Sequence, residues 1–166
     1  NIGIGNTAIG FQSLLSNAGG HENIAIGMET LKNSVSGSFN TAVGNNSLLL
    51  NITGDWNTAI GFHTLYNNIN GDFNVSIGNV SLLGNTSGQA NTAVGNATLR
   101  YNKTGNLNTA LGLGALEGNK AGNYAVAIGA NAMQYADSTS TTFDNTNIAI
   151  GYQALRGSEN PASNTG

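Results

Sequence analysis

The sequence predicts an all-β chain, a parallel β-solenoid of the β-roll kind, in which each of about nine coils is one copy of a 17-residue unit. Three observations predict it. A five-residue motif returns at one fixed spacing, aliphatic residues recur in strict columns, and glycine and asparagine recur at the turns between them. A unit this short cannot bury a core alone and has to be one coil of a stack.

The motif is Asn-Thr-Ala-Ile-Gly, found at Asn6–Gly10 and again at Asn57–Gly61. Variants begin at Asn23, Asn40, Asn74, Asn91 and Asn108, and the interval between successive starts never changes. The eighth copy begins on schedule at Ala125, but the ninth begins only at Asn147, later than the period requires. The extra residues behind that delay, five in all, are expected in a turn near 138–142. Residues 1–166 read as a single repeat domain. Ser158–Gly166 resembles the start of further repeat material, so a fragment of a longer fibre is expected.

Within each motif the odd and even positions differ. The second position is β-branched (Thr7, Ile24, Thr41, Thr58, Val75, Thr92, Thr109, Val126, Ile148) and the fourth is aliphatic, from Ile9 to Ile150. The residue before the motif is often aromatic or apolar, as at Phe39, Trp56, Phe73, Leu107 and Tyr124. These columns are two residues apart and share one face of a strand. Their hydrophobicity assigns that face to the core. The opposite face carries the asparagine and a small residue. It holds Ala8, Ala25, Ala42, Ala59, Ala93, Ala110, Ala127 and Ala149, and is expected to pack closely against a neighbouring chain or sheet.

A second apolar column, Leu14 to Leu116, then Met133 and Leu155, follows each motif and is expected to be a second short strand. A glycine between the two (Gly10 to Gly151) marks a bend with positive φ or a close backbone approach. A second turn carries glycine from Gly20 to Gly122, usually with asparagine three positions earlier. Two strands and two turns describe a flattened roll. A triangular β-helix is the alternative, because three short sides give nearly the same period. Identical asparagines in successive coils can form hydrogen-bonded ladders.

The motif followed by x-x-small-Leu resembles the head repeats of trimeric autotransporter adhesins, with their Ser-Val-Ala-Ile-Gly-x-x-Ala core. It is more similar still to the Asn-Thr-Ala-Ile-Gly arrays of phage and viral tail fibres and bacterial surface proteins. The resemblance spans Asn6 to about Arg156. It implies a left-handed roll with three chains side by side, and an extracellular, cell-surface or virion location. This sequence departs from the adhesin heads in its longer period and its Asn-x-x-Gly turn.

Composition narrows the function. Charged residues make up 8% of the 166-residue chain and the formal net charge is −3. Five basic residues cannot form a nucleic-acid patch. No apolar run is long enough to cross a bilayer. There is no cysteine, hence no disulfide frame or thiolate metal site. His21 and His63 occupy different repeat positions, so stacking does not align them. Asp55 and Asp72 share a turn position in adjacent coils, where two carboxylates could hold a cation. His21, Ser38, Gln89, Asn106 and Asn123 interrupt that column, so solvated turn residues are the expectation. Asn-x-Ser/Thr sequons at Asn45, Asn51, Asn74, Asn79, Asn85, Asn96 and Asn102 are scarcely more than composition alone would produce. No catalytic, cofactor or metal residues are assigned, and the chain is not expected to be an enzyme. The expected role is a structural shaft or adhesive segment of a fibre, a homotrimer with a host-surface receptor or glycan as possible partner. The alternative is a solenoid that recognises a regular ligand such as ice or polysaccharide.

Overall fold

The computed structural model describes residues 3–135 and 139–157. It is a parallel β-solenoid. Among the described residues eleven short strands follow in chain order: β1 Thr7–Ile9, β2 Ile24–Ile26, β3 Thr41–Val43, β4 Thr58–Ile60, β5 Val75–Ile77, β6 Thr92–Val94, β7 Thr109–Leu111, β8 Gly122–Asn123, β9 Val126–Ile128, β10 Phe143–Asp144 and β11 Ile148–Ile150. Nine of them form one parallel sheet in the order β1-β2-β3-β4-β5-β6-β7-β9-β11, and β8 pairs with β10. Every pair in the large sheet places like on like: Thr41 beside Thr58, Ala42 beside Ala59, Val43 beside Ile60. The described residues contain no α-helix. At about 4.8 Å per coil, nine coils make a rod of roughly 43 Å.

The faces of the strand are the reverse of the expectation. Ala25, Ala42, Ala59, Ala93, Ala110 and Ala127 have no exposed surface, and Ala149 has 2%. Ile9, Ile24, Ile26, Ile60, Ile77, Leu111, Ile148 and Ile150 point outward. The alanines pack with the leucine column, Leu31 to Leu116 and then Met133, in one core within a single chain. They therefore cannot be the face that a second chain meets. Only Ala8, in the first described coil, is exposed. The physical reason is the narrow coil. One leucine per coil already fills the space under the sheet, and a second branched side chain would overpack it. A methyl group fits.

The leucine segment is not a second strand. Leu31, Leu48, Leu65, Leu82, Leu99 and Leu116 all have φ near +50°, and the residue two before each of them is also left-handed. The backbone still bonds from coil to coil: the Leu48 N–H donates to Thr64 O at 3.0 Å and Leu65 to Ser81 O at 3.0 Å. Each coil thus has one short strand in the large sheet, and most of the remainder is turns held by the same axial hydrogen bonds.

The inward asparagines are linked in two hydrogen-bonded ladders. Asn57 Nδ2 donates to Asn40 Oδ1 at 3.1 Å and to Gly71 O at 2.9 Å, and the Asn57 backbone N–H donates to the same Oδ1 at 3.0 Å. This pattern repeats from Asn6 to Asn108. A second ladder runs through Asn51, Asn68, Asn85, Asn102 and Asn119. From Asn68 onward each amide donates to the previous Oδ1 and to the carbonyl of the glycine that follows in its turn. Buried amides paired in this way cost little to desolvate, and a row of them fixes the register.

The bend glycine is required twice over. Gly61 has φ +138°, and a Cβ there would lie 2.3 Å from Gly78 O in the next coil. The second turn glycine differs from the expectation. Gly54 has no positive φ. Its hydrogen atom is needed for space, because a Cβ would meet Asn51 Oδ1 at 2.4 Å and Gly71 O at 2.5 Å.

The extra residues leave the stack in place. β9 pairs directly with β11, Val126 beside Ile148 and Ile128 beside Ile150. Residues 139–142 are exposed, and residues 136–138 lie outside the described part. Phe143 sits beside Gly122, an offset one residue shorter than that between β9 and β11, so one extra residue falls between Asp144 and Ile148.

Candidate functional site: an outward apolar sheet face

The alternation of the strand decides what the protein shows to its surroundings. Asparagine, alanine and glycine point in, so the β-branched residue and the aliphatic residue of every motif point out. The result is a face two side chains wide and nine strands long. One column is Thr7, Ile24, Thr41, Thr58, Val75, Thr92, Thr109, Val126 and Ile148, and the other is aliphatic throughout. Ile60 and Ile77 keep 39% and 37% exposure even in mid-stack, where neighbours flank them on both sides.

Aromatic side chains border this face. Phe39 and Trp56 stack with centroids 4.1 Å apart and planes 9° apart, and Phe73 continues the stack 6.5 Å beyond Trp56. All three residues are left-handed, at φ 58–59°, which aims the ring outward where the chain enters the strand. On the opposite border Phe11, Met28, Phe62, Leu113 and Tyr152 are exposed. Isolated exposed apolar residues are ordinary, but a contiguous apolar strip of this length marks a surface that meets something.

The residues considered for chemistry are spoken for structurally. His21 Nδ1 accepts the Ile4 backbone N–H at 3.1 Å. His63 lies against the Phe62 ring, 3.8 Å between centroids, with Nε2 at 2.9 Å from Asn46 Nδ2. The two are in different parts of the coil. Asp55 Oδ1 accepts the Ser38 backbone N–H at 2.7 Å, and Asp72 Oδ1 accepts that of Asp55 at 2.9 Å. Each carboxylate thus caps a backbone donor of the preceding coil. Among the described residues no three His, Asp or Glu side chains come together as a metal site, and no helix is long and apolar enough to cross a membrane. Of the sequon asparagines, Asn51, Asn74, Asn85 and Asn102 are fully buried, whereas Asn45, Asn79 and Asn96 are exposed. Asn51, Asn85 and Asn102 belong to the second ladder, and Asn74 to the first.

Comparison with protein-family models, curated proteins and solved structures found no match to this chain. Architecture and surface chemistry therefore carry the functional argument.

Proposed function

We propose that this chain is a shaft or adhesive segment of an extracellular or virion fibre, in which copies of the chain associate through the outward apolar face. The carrying observation is that face: nine strands of Thr, Val, Ile and Leu with an aromatic border, turned outward and exposed or half-buried in the single chain. About 43 Å of length and roughly 20 Å of width come to some ~850 Å², close to the ~800 Å² per partner of a standard protein interface. The resemblance to fibre and adhesin repeats supports the same reading, and suggests three chains. The rod geometry suits a spacer, since each coil adds a fixed rise at no new cost in fold complexity. Sedimentation velocity tests the proposal. A concentration-independent multiple of the 16.9 kDa chain mass is expected, with elongated shape. A monodisperse single chain overturns it.

A second reading has one observation in its favour. The threonines at 7, 41, 58, 92 and 109 point outward, so the surface is a flat, regularly spaced array of hydroxyl and methyl groups, of the kind that could match a repeating ligand such as ice. Inhibition of ice recrystallisation at micromolar concentration supports this reading, and its absence removes it.

A further inference from the structure

The aromatic border is broken at one place. Phe39, Trp56 and Phe73 fill successive coils, but the next residue in the column is Ala90, followed by Leu107 and then Tyr124. Over these coils lies an open cleft of about 510 Å³, lined by Ser87, Gln89, Ala90, Thr104, Leu107 and Tyr124, with the Asn106 and Asn123 amides beneath. The cleft is open to solvent, so a ligand would lie against it rather than inside it.

The lining has a definite chemistry. It holds no charged side chain. Asn106 and Asn123 are engaged in the frame: Asn106 Oδ1 accepts the Gln89 N–H at 2.8 Å, Asn123 Oδ1 accepts that of Asn106 at 2.9 Å, and Asn123 Nδ2 donates to Asp144 at 3.3 Å. They hold the walls at fixed spacing. Ser87, Gln89, Thr104 and Tyr124 line the cleft and carry uncharged polar groups. Tyr124 and Leu107 are 49% and 52% exposed. Uncharged donors and acceptors thus lie beside the exposed Leu107 side chain and the Tyr124 ring. A pyranose has the matching form, an apolar C–H face for the ring and leucine and a rim of hydroxyls for the amide and hydroxyl groups.

We propose that this cleft binds a neutral saccharide, one or two sugar units long, stacked on Tyr124 and Leu107 and hydrogen-bonded by Gln89, Ser87 and Thr104. Leu107 and Tyr124 lie in the border column of the outward face, so the proposal requires that association of chains leave this stretch of the border uncovered.

The test uses saturation-transfer NMR and calorimetry on the full chain. The probes are neutral hexose and N-acetylhexosamine tetrasaccharides, with sialylated and uronate-bearing tetrasaccharides in parallel. At least one neutral probe is expected to bind at up to millimolar concentration, with binding weakened about fivefold or more in both Tyr124→Ala and Gln89→Ala. Ala90→Phe is the blocking variant. Phe39 and Phe73 hold the same left-handed position in their coils at φ 59° and 58°, against 54° at Ala90, so the fold accepts the ring while the cleft fills. Its binding is expected to vanish with the melting temperature unchanged or raised. Should Ala90→Phe fold poorly, Tyr124→Ala decides alone. No binding by any neutral probe, binding by charged probes only, or full binding in Ala90→Phe or Tyr124→Ala overturns the proposal.

Discussion

Asn68 Nδ2 donates to Asn51 Oδ1 at 2.7 Å, and one coil earlier that ladder meets a gap, because Ser34 stands in the column. The Ser34 hydroxyl is fully buried and has no hydrogen-bond partner. An asparagine there would donate to Asn17 and to Gly37 O and would accept from Asn51. Ser34→Asn is expected to raise stability by about 1–2 kcal/mol, since it removes an unsatisfied buried group and adds bonds. A lower midpoint in chemical denaturation would show that the gap is not a defect.

The ladder through Asn57 makes the opposite prediction. Asn57→Ala strips the acceptor from both the Asn74 backbone N–H and its Nδ2. The buried Asn74 backbone N–H loses its acceptor and Nδ2 keeps only its bond to Gly88 O, at about 2–3 kcal/mol together. Asn67→Ala, whose half-buried amide makes one bond to Leu83 O, is expected to cost under about 1 kcal/mol. Similar denaturation midpoints for the two variants would contradict the ladder as a main support of the stack.

The orientation of the strand is tested by neighbours in sequence. Ala59→Lys places an ammonium in a fully buried position and is expected to unfold several coils, with loss of β dichroism. Ile60→Lys with Ile77→Lys places charges on the outward face. That pair is expected to keep the β spectrum and to reduce the assembly to single chains. A normal spectrum for Ala59→Lys would put the alanines outside after all.

Val80 is a β-branched residue at φ +49°, the least tolerant side chain in a left-handed conformation. Asn46 and Asn131 hold the same column position at φ 57° and 58°. Val80→Asn is expected to stabilise the chain by about 1 kcal/mol through relief of that strain. Thermal unfolding measures it, and a fall in melting temperature would mean that Val80 packing outweighs its backbone strain.

The period, the coil count and the in-register sheet were legible in the residues alone. A short motif repeated at one unvarying interval leaves no other way to bury its apolar positions. The resumption of the stack at Ile148 was legible too, because Asn147–Gly151 restates the motif. The asparagine ladders could be anticipated as chemistry, though not their pairing to the glycine carbonyls. Which face of the strand is inside was not legible. Hydrophobicity favours Thr and Ile inward, but the tertiary structure buries Asn and Ala. The coil is too narrow for branched side chains from both walls, and amides stacked at the coil spacing satisfy one another. The left-handed leucines and aromatics were equally hidden, since local preference alone disfavours them and only the axial hydrogen bonds of a neighbouring coil hold them there. The sequence by itself thus determined the repeat and its stacking. Only the tertiary structure decided what lies outside, and so which surface is available to meet another molecule.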